Sequence, residues 1–137
     1  MKEGVAMAEY EITNPKARAI VEQMFARQGP RRLAQLERLD PGLRAVVEDV
    51  IYGGFYARDI LDQRTRELCA VAALTVLGRN AQLRTHMLAA LGAGATRAEI
   101  QEAIVQMAVY AGMPAALGGL DLMEQLWQEL DAAEAGG

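Results

Sequence analysis

The sequence predicts an all-α protein, a single-domain helical bundle of about six or seven helices around a central antiparallel helical hairpin. Three observations carry this. Apolar residues recur at spacings of three and four through most of the chain. The composition favours Ala, Leu, Glu and Arg and is only 5% aromatic, which suits packed helices better than a sheet sandwich. No stretch alternates apolar and polar residues with the period of a strand.

A chain of 137 residues fits one domain and can bury a core without disulfides or metals. Hydrophobic residues make up 52%, an excess that points to a buried subunit interface. The net charge of −4, with both signs interspersed, argues against a nucleic-acid partner. With one cysteine, Cys69, and one histidine, His86, no disulfide closes within a chain and no metal site is expected. The N-terminus has no apolar run of signal-peptide type. The longest apolar run, Leu68 to Leu77, is about half of a membrane span. A soluble cytoplasmic protein without membrane contact is the expectation.

The elements follow in order. Residues 1–13 show weak periodicity and read as a mobile arm, ahead of a helical domain over 14–131. Asn14-Pro15 starts a helix with Ala17, Ile20, Val21, Met24 and Phe25 on one face, ended near Arg27 by Gly29-Pro30. Arg31 to Arg38 forms a short helix. Asp40-Pro41 starts another, with Leu43, Val46, Val47, Val50 and Ile51 as its stripe, and Gly53-Gly54 breaks or distorts it. Phe55, Tyr56, Ile60 and Leu61 read as loop.

Asp62 caps the next helix, roughly Gln63 to Leu77. Its second half is apolar around most of the circumference and is expected to be surrounded by protein, with Cys69 a small buried hydrophobe. Gly78 ends it, and Asn80 caps a helix over about residues 81–91, closed by Gly92 and Gly94. Thr96-Arg97-Ala98-Glu99 is a capping box ahead of Ile100, Ala103, Ile104, Met107, Ala108 and Ala111. Gly112 ends that helix and Pro114 opens the last, whose seam is Ala116, Leu120, Met123, Trp127 and Leu130. Gly118-Gly119 within it predicts a close helix crossing. Residues 132–137 read as a frayed tail.

The chemistry-bearing residues gather in the hairpin, Arg64 to Met87. Glu67 lies eleven residues before Gly78 and His86 eight after it, roughly 16 Å and 12 Å from the turn. In an antiparallel pair of helices they stand at nearly the same height. Arg79, Gln82 and His86 are spaced by three and four and share a face if their helix begins near Arg79. A carboxylate orients an imidazole for proton transfer near neutral pH, and an arginine can hold a substrate carboxylate. The competing reading makes His86 a helix-surface or core residue, and Glu67 a surface ion-pair partner of Arg64 or Arg66.

At these residues the sequence resembles the carboxymuconolactone decarboxylase family, in the alkylhydroperoxidase-D-like superfamily. The likeness runs from about Leu39 to Trp127. It is densest in Leu61 to Leu68, Ala73 to Arg79, His86 with Ala89-Ala90, Gly94-Ala95-Thr96 with Glu99-Ile100, and Val105 to Ala116. The peroxidase branch of the superfamily carries C-x-x-C-x-x-x-H and a glutamate nineteen residues before the histidine. Here His86 matches the histidine and Glu67 the glutamate, while Arg79 and Gln82 stand at the cysteine positions. Dithiol peroxidase chemistry is therefore not expected.

The Leu77-Gly78-Arg79 and Tyr110-to-Ala116 segments look like the decarboxylase branch. That branch often reads P-A-A-N where this chain has Pro114-Ala115-Ala116-Leu117, and often has a small or apolar residue at Glu67. The resemblance implies an all-α homo-oligomer, a trimer or hexamer, working without cofactor on a small-molecule carboxylate of the kind met in aromatic compound degradation. His86 and Glu67 are its expected catalytic residues. Arg79, Gln82 and Tyr110 are its expected substrate-binding residues. The alternatives are a redox protein using Cys69 and a non-catalytic oligomeric ligand-binding module.

Overall fold

The computed structural model describes residues 10–137. Among them are seven α-helices, one π-helical segment and no strand. The helices are α1 Pro15–Met24, α2 Gln28–Leu39, α3 Pro41–Ala45, α4 Gln63–Leu77, α5 Asn80–Gly92, α6 Arg97–Ala111 and α7 Met113–Ala135. The π-helical segment, Val46–Phe55, continues α3. The elements gather in two compact units, one ending at Ile60 and the other running from Leu61 to Gly137.

In the first unit, Asn14 caps α1 by accepting from the amides of Lys16 and Ala17. Gly29-Pro30 does not end α1. Helix α1 stops at Met24, and Gly29 and Pro30 lie in the first turn of α2. Proline is tolerated there because that turn's amides have no helical acceptor. Gly29 is needed because a Cβ would come within 2.7 Å of Val21 Cγ1 on α1.

Gly53-Gly54 does not break its helix either. The backbone passes through both glycines with wider π-type hydrogen bonds, such as Tyr56 N–H to Ile51 O at 3.0 Å. A Cβ on Gly53 would meet the Asn14 side chain at 2.6 Å. The stripe Leu43, Val46 and Val50 is exposed, and the residue this segment buries is Glu48. Residues 1–9 of the expected arm lie outside the described residues. Of the rest, Tyr10 and Thr13 hydrogen-bond to Glu48 and Ile12 is buried.

In the second unit, α4 to α7 pack around Val71, Leu83, Met87, Ala90, Ile100, Ile104, Met123 and Leu126. The caps form as the sequence requires. Asp62 accepts from Thr65 N–H at 2.7 Å, Gly78 takes the left-handed conformation (φ 65°), and Thr96 and Glu99 complete the capping box. Asn80, expected as a cap, is the first residue of α5, and Arg79 occupies the cap position without a side-chain bond. The seam of α7 is widened by Gly119 and Leu126, and the helix continues through the expected frayed tail to Ala135.

The apolar half of α4 is not surrounded. Cys69, Ala73, Val76 and Leu77 are exposed, because the packed neighbours cover only the Glu67–Val71–Thr75 side. Gly119 supplies the expected close crossing. A Cβ there would lie 2.8 Å from Ile104 Cγ2 and 3.1 Å from Thr75 Cγ2, whereas at Gly118 it would meet nothing within 4 Å. Gly119→Ala therefore destabilises the chain by about 1–3 kcal/mol through overpacking. Gly118→Ala stabilises it by up to about 1 kcal/mol through helix propensity. Urea unfolding of the two variants checks the opposite signs.

Candidate functional site

Glu67 falls on the core-facing row of α4, four residues before Val71 and eight before Thr75, so the helix carries it inside. Its side chain is 0% exposed. It is not a surface ion-pair partner. Arg64 pairs instead with Glu99 across to α6, and Arg66 reaches the Leu61 carbonyl. A buried carboxylate is costly unless a charge or donor meets it.

That partner is His86. Its Nδ1 lies 2.7 Å from Glu67 Oε2, with the imidazole 21% exposed. The Gly78 turn brings the two helices alongside, and the spacing of nineteen residues sets the two side chains level. An ionised carboxylate only accepts hydrogen bonds, so Nδ1 then carries the hydrogen and Nε2 is left as the basic atom of the ring. The second oxygen of Glu67, Oε1, is buried without a hydrogen-bond partner among the described residues.

The surrounding scaffold fixes this pair. Arg64 and Glu99 join the first turns of α4 and α6, and the guanidinium holds the Glu99 carboxyl below its usual range. Arg84 binds Glu129 at 2.5 Å, tying α5 to α7 two residues before His86. Arg97 binds Asp131 at 2.7 Å and lies over the Trp127 ring, 4.9 Å from its centre.

The other expected site residues are not bonded to the pair. Gln82 lies one turn before His86 on α5, and Arg79 stands at that helix's cap; both are exposed. Tyr110 is 73% exposed in the last turn of α6. The α4–α6 junction is at Glu99, eleven residues earlier and so roughly 16 Å away along the axis. Two further side chains, not singled out by pattern, flank Glu67. Gln63 sits one turn before it on the same face, and Arg66 adjoins it; Gln63 Oε1 and Arg66 Nε are both shut off from solvent. The four-residue spacing from Gln63 to Glu67 was the available signal.

Cys69 is exposed rather than a buried hydrophobe. Two residues beyond Glu67, it lies roughly 200° around α4 and points away from the carboxylate face. Among the described residues, no group of three or more His, Cys, Asp or Glu is placed to hold a metal ion. No helix there is long and apolar enough to cross a membrane.

The family model described as the carboxymuconolactone decarboxylase family matches residues 41–125, which include the whole Glu67–His86 arrangement. The chain belongs to that family. Relatives in it include the 4-carboxymuconolactone decarboxylase of Acinetobacter baylyi, 30% identical over 103 residues, covering 75% of this chain and 77% of that protein. An uncharacterised 15.0 kDa protein from the nqo9–nqo10 intergenic region of Paracoccus denitrificans is 38% identical over 98 residues, 70% of this chain and 73% of its own length. The matched region of the carboxymuconolactone decarboxylase family begins at Pro41 and so takes in α3, the π-helical segment and most of the second unit.

Because Glu67 relies on one partner among the described residues, His86→Ala strands a buried charge and costs about 3 kcal/mol. Replacing both together, Glu67→Met with His86→Phe, is neutral or stabilising by about 1 kcal/mol. Urea midpoints of the single and double variants measure the difference, and equal midpoints for His86→Ala and the parent contradict the dependence.

Proposed function

We propose that the chain is a cofactor-independent carboxy-lyase acting on a small carboxylated lactone or a related acid. The observation that carries this reading is the 2.7 Å contact between a fully buried Glu67 and a partly exposed His86. It occurs in a member of a family that includes a 4-carboxymuconolactone decarboxylase.

In the proposed reaction the bond between the carboxylate carbon and the ring carbon breaks. Carbon dioxide leaves, and the bonding electron pair passes into the adjoining unsaturated system. His86, having taken a proton from solvent on Nε2, delivers it to the carbon end of that system and returns to the neutral Nδ1–H ring. Glu67 acts through the ring: it fixes the tautomer and balances the imidazolium. Arg79, with Gln82 beside it, is assigned to the carboxylate that remains on the product. Tyr110 is assigned to a peripheral substrate contact.

The proposal includes a homo-oligomer, a trimer or hexamer. Supporting it is the apolar surface formed by Val76, Leu77, Val109, Tyr110, Met113 and Leu117, all at least 44% exposed. Scattered apolar residues are ordinary on a surface, but these come from the end of α4 and the Gly112 turn between α6 and α7.

The exposed thiol of Cys69 favours a second reading, a redox protein linking cysteines of two subunits. Peroxide-dependent formation of a disulfide-linked dimer, abolished by Cys69→Ser, distinguishes it.

The test uses 4-carboxymuconolactone as probe and follows carbon dioxide release. His86→Ala lowers kcat by about 10²–10⁴-fold, the usual worth of a general acid–base group, with helicity and oligomer size unchanged. Glu67→Gln lowers kcat with little change in KM. Undiminished turnover by folded His86→Ala contradicts the assignment.

A further inference from the structure

The first unit holds a second buried carboxylate, and its surroundings are the reverse of those at Glu67. Glu48 is 0% exposed. It accepts from the Tyr10 hydroxyl, from the amides of Thr13 (2.8 Å) and Asn14 (3.1 Å), from the Thr13 hydroxyl (3.3 Å) and from Arg44 (2.9 Å). Four of these five donors belong to the segment Tyr10–Asn14, which precedes α1. Both backbone amides bonded to Glu48 come from that segment.

We propose that Tyr10–Asn14 is a releasable strap, locked onto the π-helical segment by the Glu48 carboxylate. Among the described residues the segment makes no backbone-to-backbone hydrogen bond to a helix before Asn14, whose carbonyl begins α1. Other holds, which do not depend on the Glu48 charge, include two bonds from the Arg18 guanidinium to the Ile12 carbonyl, Nε at 3.1 Å and Nη2 at 2.5 Å. Ile12 is buried, the Tyr10 ring lies 5.4 Å below the Arg44 guanidinium, and Asn14 Nδ2 donates to Asp49 at 3.0 Å. Every group that bonds Glu48 is a donor. An amide here would turn an N–H toward the oxygen site that Arg44 occupies, and a guanidinium can only donate, so the ionised carboxylate satisfies the cluster and an amide loses the Arg44 bond. Release uncovers the apolar site that Ile12 fills and the first turn of α1.

The charged and titratable groups around the lock fix its pH range. They are Tyr10 on the strap, Arg44 on α3, Glu37 on α2 behind Arg44 (2.8 Å), Asp49 on the π-helical segment, and Lys16 and Arg18 on α1. Burial alone would raise the Glu48 carboxyl, but the bonds from Tyr10, Asn14, Thr13 and Arg44 outweigh it and hold the group below its ordinary value. The stabilisation is therefore present above the ordinary carboxylate range and is lost as pH falls through the lowered value. Tyr10 is pushed up to about 12 by burial and by its bond to Glu48. Its share is present below the usual phenol value and lost as pH rises through about 12. The strap is closed across the neutral range and opens in acid.

Amide hydrogen exchange on the full-length protein tests this, with Glu48→Gln and Tyr10→Phe beside the parent. In Glu48→Gln at neutral pH, protection at Thr13 and Asn14 falls at least tenfold while α1 and α2 stay within twofold of the parent. Tyr10→Phe, which leaves the charge and both amide bonds, gives a smaller loss confined to the same residues and keeps the acid step that Glu48→Gln lacks. Unchanged protection at Thr13 and Asn14 in Glu48→Gln overturns the proposal. So does a loss spread evenly over α1 and α2, which would make Glu48 a general core group. Should Glu48→Gln not fold, a parent whose Thr13 and Asn14 protection shows no acid step separate from α1 and α2 also overturns it.

Discussion

A carboxylate buried on the core side of α4 must find a partner, and much of the second unit is arranged around the one that Glu67 finds. Burying a charge without a partner costs several kcal/mol. His86 meets one oxygen at 2.7 Å and leaves the other without a partner among the described residues. The contact demands that α4 and α5 lie side by side with their registers fixed. The left-handed glycine at position 78 turns the chain, and the Arg64–Glu99 and Arg84–Glu129 pairs brace the helices behind it.

The two buried glutamates among the described residues show how the same residue type serves different ends. Glu48 is saturated by five donors and sits in a closed network. Such a group holds structure and has no capacity left for chemistry. Glu67 has one hydrogen-bond partner among the described residues, that partner is a titratable ring, and the ring is partly open to solvent. An incompletely satisfied, buried acid–base pair is the more natural place for proton transfer. Cys69, on the opposite face of α4, takes no part in it.

Features set by local rules were legible in the sequence. The Thr96–Glu99 capping box, the Asp62 cap and the Gly78 stop follow from chain-neighbour chemistry, and all three form. The meeting of Glu67 with His86 was legible because a tight turn makes register a matter of counting. What was not legible depends on partners distant in the chain. Nothing local says that Glu48 is buried, since its donors lie up to 38 residues away. Nothing local says that the Leu43–Val46–Val50 face is exposed, or that Cys69 and Val76 are. Gly29-Pro30 looked like a stop because that pair usually is one; the close approach of α2 to Val21 makes it a start. The crossing at Gly119 was foreseeable as a reason for glycine, but only packing distinguishes it from Gly118.

The central claim is that Glu67 fixes the hydrogen on His86 Nδ1 and leaves Nε2 to exchange protons with a ligand. Because His86 is the only histidine, ¹⁵N NMR of a ring-labelled sample reads this directly. The account predicts a protonated Nδ1 near neutral pH in the parent, a changed tautomer balance in Glu67→Gln, and a selective shift of Nε2 when a small carboxylated lactone analogue is added. A neutral ring with its hydrogen on Nε2 and none on Nδ1, indifferent both to Glu67→Gln and to the analogue, would contradict it.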